Sequence, residues 1–284
     1  MPAEQPDAGE RVIRPHHGLI AIDFAELWRY RELFGFLAWR DIMVRYKQTY
    51  LGIAWAVLQP FLTTIVFVLV FDKLGHFDSK GAPYAVMTLA ALLPWQFFAN
   101  AMSESSASLV ASSNMVSKIY FPRLIIPASA VLGGLADFLI GAVILLAMML
   151  FYGVKFHLQL LLLPGFLLVA LAAAFSVGVW LSAVNVRYRD VKYIVPFFTR
   201  IGIYITPVGF ASSLILEKFG PGAHFCFSLN PMVGVIDGFR WCILGPAFEP
   251  YWPGFLASSA TIIAIGVSGL FYFRSTEKTF ADVI

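Results

Sequence analysis

The chain has 284 residues, of which 59% are hydrophobic and only 13% are charged, and its formal net charge is +3. Soluble domains carry about 25% charged residues, so this composition excludes an ordinary soluble protein and indicates one embedded in a membrane. The sequence has no basic tract interleaved with aromatic residues, so nothing in it indicates nucleic-acid binding. Its two cysteines are too few for a disulfide framework.

The first segments of the chain precede any membrane span. Residues 1–22 are polar and contain three prolines, which predicts a flexible arm without a cleavable signal peptide. Residues 23–49 predict a helix with large aromatic residues along one stripe and basic residues on another face. This pattern is typical of an amphipathic helix in a membrane interface, and a soluble helix packed on a partner is the alternative. The aromatic stripe includes Trp28, Trp39 and Tyr46, and the basic face includes Arg29 and Arg40.

Residues 50–284 predict one all-α transmembrane domain with six spans. Each span is an apolar stretch of about 20 residues with few charges, which is the length that crosses a bilayer once. Between the fifth and sixth spans, residues 212–250 are apolar but broken by prolines and charges, so we expect two re-entrant helices there. The predicted spans are 51–71, 84–103, 124–150, 160–184, 191–211 and 251–273.

The distribution of basic residues predicts the orientation. Six spans place both ends of the domain on one side of the membrane. If that side is the cytoplasm, fourteen of the twenty Lys and Arg residues lie there, five lie on the other side and Arg200 lies within the fifth span. The positive-inside rule therefore predicts cytoplasmic N and C termini.

The sequence contains no recognisable catalytic or metal-binding pattern. Its five histidines are scattered, and it has no HExxH, GxSxG or Walker A motif. We therefore expect a chain that is not an enzyme, holds no metal and depends on a partner for energy. One acid, Asp137, lies deep in the third span, where a carboxylate either takes part in transport or pairs with a buried arginine.

Two polar segments between spans are candidates for function. The loop NMVSKIYFPR begins at Asn114, a residue that can cap a short helix, and it combines basic residues with apolar ones, as a docking surface does. The second segment places Arg187, Tyr188, Arg189 and Asp190 between the fourth and fifth spans, where such charges must lie at a membrane surface.

Together these segments resemble the permease subunit of ABC-2 type polysaccharide exporters, the group that exports O-antigen, capsule and teichoic acid. The resemblance covers about residues 25–284 and is carried by the interface helix and by three segments, NMVSKIYFPR, NVRYRDVKYIVPFFTRIGIYITPV and SLNPMVGVIDGFRWCILG. It implies a homodimer in the bacterial inner membrane with two copies of a cytoplasmic ATPase subunit. That partner would bind ATP and Mg, this chain would hold no cofactor, and the substrate would be a glycan, first of all O-antigen, on undecaprenyl diphosphate.

The resemblance also implies roles for individual residues. The interface helix would be a gate beside the lipid entry, and Arg187 and Arg189 would meet a diphosphate there, unless they only anchor the loop or pair with Asp190. The ATPase coupling helix would consist of Asn114, Met115, Val116, Ser117, Lys118, Ile119, Tyr120 and Phe121. The outer gate would include Pro221, Asn230, Pro231, Asp237 and Arg240.

Other interpretations of the same sequence stay open. One is an ABC-2 exporter of a drug or a small lipid, which would not need the combination of polar segments described above. Another is a membrane-embedded transferase acting on lipid-linked sugars, which would need a cluster of carboxylates, histidines or metal ligands. A third is a membrane anchor that transports nothing.

Overall fold

The computed structural model describes residues 24–47 and 52–280, and every regular element in these ranges is helical. Residues 1–23, 48–51 and 281–284 lie outside the described residues, and the arm predicted for residues 1–22 falls among them. A π-helical segment, Val68–Leu74, extends α3, and the 3-10 helices Leu158–Leu162 and Pro246–Phe248 precede α8 and α12. The α-helices are α1 Phe24–Arg29, α2 Arg31–Lys47, α3 Gly52–Phe67, α4 Tyr84–Ala111, α5 Ser113–Lys118, α6 Ile125–Gly133, α7 Leu135–Phe151, α8 Leu163–Arg187, α9 Val191–Ile205, α10 Ser213–Phe227, α11 Pro231–Leu244 and α12 Trp252–Glu277.

Five helical stretches in the described chain are long and apolar enough to cross a membrane. They confirm the position of the first four predicted spans and of the sixth. Their bounds are Ala54–Leu74, Tyr84–Ala111, Ile125–Phe151, Leu158–Arg187 and Trp252–Glu277.

The predicted end of the second span, at residue 103, is wrong, because α4 continues to Ala111. The polar residues in its last turns have partners inside the protein. The Ser105 hydroxyl donates to the Pro127 carbonyl (3.1 Å), and the Ser106 carbonyl accepts from the Asn185 side chain (2.9 Å). Since these groups are satisfied by other helices, they do not end the helix as they would in a loop.

The fifth predicted span corresponds to α9, which is only 15 residues long. Its length of about 22 Å is less than the hydrocarbon thickness of about 30 Å. The helix ends at Ile205, and Thr206 is extended (φ −95°, ψ 155°). Pro207 explains this end, because a proline disfavours the helical conformation for the residue before it.

Helix α4 is at the centre of the fold. It packs against α3, α6, α7, α8, α9 and α11. In its most apolar stretch 78% of the residues are buried within the chain, while the other four membrane-length helices reach at most 28%. The interior of a single chain is therefore filled by α4.

Small residues bring α8 close to α4 and α12. A Cβ added at Gly178 of α8 would lie 2.6 Å from the Ser105 hydroxyl oxygen of α4. A Cβ added at Gly266 of α12 would lie 2.7 Å from the Ser176 hydroxyl oxygen of α8, and one at Gly269 would lie 3.2 Å from the Ser176 carbonyl oxygen. These approaches leave no room for a larger side chain, so the three helices pack as one layer.

The bundle has two distinct ends. At one end, which we call the α5 end, α5 packs with the last turns of α4, α8 and α12 through a buried cluster that includes Val116, Phe121 and Phe273. At the other end, which we call the Tyr84 end, Tyr84 and Phe248 form a second small cluster with the end of α3.

Two short helices, α10 and α11, occupy the region for which re-entrant helices are predicted. Helix α10 bends at Gly220, whose φ of 83° is in the left-handed region that glycine adopts at low cost. Helix α11 begins at Pro231, and the Asn230 side chain caps it by accepting from the Met232 amide (3.0 Å).

Candidate functional site

A cavity of about 530 Å³ opens between α2, α3, α4 and α7. Its apolar wall includes Trp55, Leu93 and Phe97. Its polar wall is formed by Arg45, Tyr46, Gln59, Gln96, Asn100, Glu104 and Asp137. This cavity is the main candidate for a functional site, because several polar groups converge there within an otherwise apolar bundle.

Four of these polar residues form a connected group, which we call the Arg45 cluster: Arg45, Tyr46, Glu104 and Asp137. The Arg45 guanidinium forms ion pairs with Glu104 through Nη2 and with Asp137 through Nη1. The Tyr46 hydroxyl donates to Asp137. Burial, together with this hydrogen bond, raises the pKa of Tyr46 above its ordinary value of 10.0, so the hydroxyl remains a donor at neutral pH.

The Arg45 cluster joins three separate helices. Arg45 and Tyr46 stand in the last turn of α2, and Glu104 lies on α4. Asp137 lies in the first turn of α7, which begins after the break at Gly134. A carboxylate in the first turn of a helix also interacts favourably with the helix dipole. The cluster therefore ties α2 to α4 and α7, in the interior of the bundle.

For Asp137 the structure shows the pairing with an arginine that the sequence offered as one possibility, and this partner, Arg45, is half-buried. The sequence did not identify Arg45 or Glu104 as site residues. In the sequence, Arg45 is one of several basic residues before the first span, and Glu104 is a polar residue just after the predicted end of the second span. The one signal in the sequence was Asp137 itself, because a carboxylate within an apolar stretch needs a cation from elsewhere in the chain.

The predicted gate residues lie on or near the outer face of α1 and α2. Trp28 and Trp39 are exposed, as are Arg29 and Arg40. The Arg40 guanidinium pairs with Asp41 on the same helix (2.8 Å). Tyr46 differs from the other four, since it turns towards the Arg45 cluster.

The predicted coupling segment is divided between buried and exposed residues. Val116 and Phe121 are buried in the cluster at the α5 end, while Ile119 and Tyr120 are 60% and 63% exposed. Asn114, Ser117 and Lys118 are also exposed, and Met115 is half-buried. The buried Val116 and Phe121 thus fix the position of this segment, while Ile119 and Tyr120 point away from the protein.

One detail of the predicted coupling helix is wrong. The helix α5 covers Ser113–Lys118, so it begins one residue before Asn114 and ends before Phe121. Asn114 is therefore inside its first turn and does not cap it. Residues Ile119–Phe121 follow α5 as irregular chain, which lets Phe121 turn inwards while its two predecessors point outwards.

Residues Arg187–Asp190 form an exposed turn between α8 and α9 at the α5 end. The Arg187 guanidinium lies over the Tyr188 ring, 5.6 Å from its centroid. Among the described residues neither arginine of this turn forms an ion pair with Asp190. The turn does not contribute to the cavity of the Arg45 cluster.

The residues predicted for an outer gate lie near the Tyr84 end, and one of them has a clear structural task. Arg240 is 1% exposed and donates to three backbone carbonyls. Its Nη1 binds Phe210 O (2.7 Å), its Nη2 binds Val208 O (2.8 Å) and its Nε binds Met87 O (3.3 Å). We call this arrangement the Arg240 clamp, and it fastens the turn that follows α9 to α4.

The other predicted outer-gate residues surround the clamp at different distances. Asp237 is buried and lines a smaller cavity of about 160 Å³ together with Arg240 and His224. Asn230 and Pro231 start α11, and Pro221 lies at the bend of α10. The structure thus brings Asp237 and Arg240 together but places the remaining three elsewhere on α10 and α11.

Within residues 24–47 and 52–280, no group of three or more His, Cys, Asp or Glu side chains could hold a metal ion. The acidic residues of the Arg45 cluster number two, and an arginine already binds both. The chemistry of this site is therefore that of paired charges and hydrogen bonds.

Comparison with known proteins gives related sequences over almost the whole chain. A relative from Myxococcus xanthus, named O-antigen export system permease protein RfbA, is 27% identical over 262 residues, which is 91% of this chain and 98% of the relative. Two relatives of the same name from Klebsiella pneumoniae are 26% and 27% identical, each over 86% of this chain and 92% of their own length. The pattern of the ABC-2 type transporter family matches residues 32–244. This range includes α3 to α11 and both arginine sites, and the chain therefore belongs to the ABC-2 type transporter family.

Proposed function

We propose that the chain is the permease subunit of an ATP-driven exporter that moves an O-antigen-type polysaccharide across the bacterial inner membrane. The observation that carries this proposal is the match to three export permeases, each over at least 86% of this chain. The substrate would travel on undecaprenyl diphosphate, and a separate ATPase subunit would supply ATP hydrolysis.

A sixth crossing by α9 and the segment after it is supported by contacts at both ends. α9 begins beside the last turn of α8, at the α5 end. Beyond α9, the Gly209 carbonyl accepts from the hydroxyl of Tyr84, the first residue of α4, at the opposite end. Residues 191–209 would then connect the α5 end with the Tyr84 end, and the residues after Ile205 would complete a crossing that the helix alone is too short to make.

Six crossings with the α5 end in the cytoplasm agree with the distribution of basic residues. In that orientation α1, α2, α5 and the Arg187–Asp190 turn all face the cytoplasm. The exposed pair Ile119 and Tyr120 would then be available to an ATPase subunit, and α10 and α11 would enter from the outer side as re-entrant helices.

A homodimer is supported by the central position of α4. Because α4 fills the interior of one chain, a single copy has no space for a glycan along its axis. A path between two copies related by a two-fold axis would be lined by equivalent faces and would meet this need.

The proposal is tested by deleting the gene in a strain that has no second exporter of the same glycan. We expect one surface polysaccharide to disappear and its lipid-linked form to accumulate on the cytoplasmic leaflet, as shown by gel analysis of surface glycan and by labelling in inside-out vesicles. Restored export with the wild-type gene is the control. Normal surface polysaccharide with no accumulated intermediate would contradict the proposal and favour an exporter of a drug or small lipid.

The coupling surface can be tested separately in the complemented strain. We expect Ile119→Asp with Tyr120→Asp to abolish export while the protein remains inserted and folded, because both side chains are exposed and only a partner would cover them. Phe121→Asp is the matched comparison, since it places a charge in a buried cluster and should reduce the amount of folded protein. Unchanged export by the Ile119→Asp, Tyr120→Asp variant would remove this surface from the coupling assignment.

A further inference from the structure

Helix α9 has three faces of different character. One face, with Val191, Val195 and Gly202, packs against the bundle, and a Cβ added at Gly202 would lie 2.4 Å from the Trp95 ring of α4. A second face is exposed and entirely apolar. Its residues are Ile194, Phe198, Ile201 and Ile205.

The third face of α9 is exposed and combines aromatic rings with one charge. Tyr193, Phe197, Arg200 and Tyr204 follow each other at steps of four, three and four, which places them on one stripe. At 100° per residue this stripe lies opposite Val195 and Gly202. We call these four residues the Arg200 stripe.

Arg200 lies deep between the two ends of the bundle. It follows Val191, at the α5 end, by nine residues, a rise of about 14 Å along the helix. This is close to half of a hydrocarbon thickness of about 30 Å. Among the described residues Arg200 is exposed and has no ion-pair or hydrogen-bond partner in its own chain.

A guanidinium at that depth is not stable against lipid chains. Charged residues at mid-membrane face a water-filled space or an opposite charge, and a long side chain reaches the interface only from near a helix end. Among the described residues no acid of its own chain pairs with Arg200, so this position calls for a water-filled space with an anion supplied from outside the chain.

We infer that the Arg200 stripe lines an aqueous path between two copies of the chain, and that Arg200 binds anionic groups, phosphate or carboxylate, on the molecule that passes. The inference builds on the proposed function by naming a contact point for its substrate. Aromatic faces on either side of the cation would contact sugar rings without strong polar bonds, while the guanidinium pairs with an oxyanion.

The geometry is tested by cysteine labelling of the full-length chain in bacterial membranes, in a Cys226→Ser, Cys242→Ala background. Phe197 and Phe198 are a matched pair, since they are neighbours of the same type at the same depth, with exposed fractions of 60% and 63%. We expect Phe197→Cys to react with a water-soluble methanethiosulfonate reagent at least about tenfold faster than Phe198→Cys, because the reactive thiolate forms in water and not in hydrocarbon. Equal rates at the two positions would overturn the inference.

The role of the charge is tested with two reagents, the anionic sulfonatoethyl and the cationic trimethylammonioethyl methanethiosulfonate. Position 197 is about 5–6 Å from Arg200 at the i, i+3 spacing, so a unit charge there changes the ratio of anion to cation rates about tenfold in water. We expect Arg200→Gln to lower this ratio at Phe197→Cys by that factor and Arg200→Lys to keep it. A ratio that is the same in all three backgrounds would overturn the anion assignment.

Protection of Phe197→Cys from the anionic reagent identifies the source of the anion. Slower labelling in the presence of undecaprenyl diphosphate would assign Arg200 to the lipid carrier, and slower labelling with a uronic-acid oligosaccharide would assign it to an acidic polymer. If neither slows labelling, Arg200 binds no substrate anion and that part of the inference is wrong. These rates do not depend on export, so their failure is distinct from failure of the deletion experiment.

Discussion

Arg45 and Arg240 are both enclosed within the helical body, but their charges are satisfied in different ways. Arg240 donates to three backbone carbonyls and is almost completely buried. Arg45 is bound by two carboxylates on α4 and α7, and about a quarter of its side chain is exposed. Arg240 is held by backbone oxygens, whereas Arg45 is held by carboxylate side chains, which can be protonated and can change rotamer.

This difference separates a permanent contact from a reversible one. Backbone carbonyls are not protonated at physiological pH and do not turn away without rearranging a segment, so we expect the Arg240 clamp to keep the end of α9 on α4. The carboxylates around Arg45 can accept other donors, and the cavity beside them gives water access. We therefore expect α2 to separate from α4 and α7 at far lower cost than the segment after α9 separates from α4.

The largest effect is expected from removing the clamp. Arg240→Met removes three hydrogen bonds to backbone carbonyls, and hydrogen bonds to a charged group are worth about 1.5–3 kcal/mol each, so we expect a loss of at least about 3 kcal/mol in the free energy of unfolding. Denaturant titration in detergent micelles measures it. The stability of Arg240→Lys should lie between those of the wild type and Arg240→Met, because lysine keeps the charge but not the planar guanidinium group. Wild-type stability in Arg240→Met would show that the clamp contributes nothing.

A smaller effect is expected at the Arg45 cluster. Arg45→Gln leaves Glu104 and Asp137 without their common cation, and we expect a loss of about 1–2 kcal/mol because these side chains retain some contact with solvent. The matched control combines it with Glu104→Gln and Asp137→Asn, which removes the charges together and should recover most of the loss. If that triple variant is as unstable as Arg45→Gln, the ion pairs are not the source of the effect.

The smallest effect is expected for Tyr46→Phe, which removes one hydrogen bond to Asp137 and keeps the ring. We expect a loss of about 0.5–1.5 kcal/mol in unfolding free energy, measured in the same titration. In an Asp137→Asn background the same substitution should cost less, since the charged acceptor is already gone. Equal losses in both backgrounds would mean that the tyrosine is held by packing and not by this bond.

The sequence predicts the spans better than their ends. Apolar length identified five of the membrane-length helices because it follows directly from bilayer thickness. The predicted second span stops at residue 103, before the polar residues Glu104 and Ser105, because only the fold supplies their partners on α2 and α6. For α9, the effect of Pro207 on Thr206 was available in the sequence and sets the true end of the helix.

The candidate site shows the same limit. Asp137 was visible as an acid within an apolar stretch, but the sequence separation of 92 residues hides its partnership with Arg45. The position of residues 114–121 between two membrane-length helices was predictable from the sequence, whereas the inward turn of Phe121 beside two exposed neighbours depends on the cluster at the α5 end. Contacts between side chains that are distant in the sequence become visible only in the folded structure, whereas local composition is enough to predict which segments lie within the membrane.

The close approach of α4, α8 and α12 has a mechanical consequence. Because a larger residue at Gly178, Gly266 or Gly269 would clash with a neighbouring helix, we expect these closely packed helices to move together as one unit. The chain leads from the end of α4 directly into α5, so if a partner binds Ile119 and Tyr120, a force applied there would be passed to these three helices. With 28 residues in α4, its far end lies about 40 Å away, and we expect a displacement at the α5 end to be carried by this one helix to the Tyr84 end.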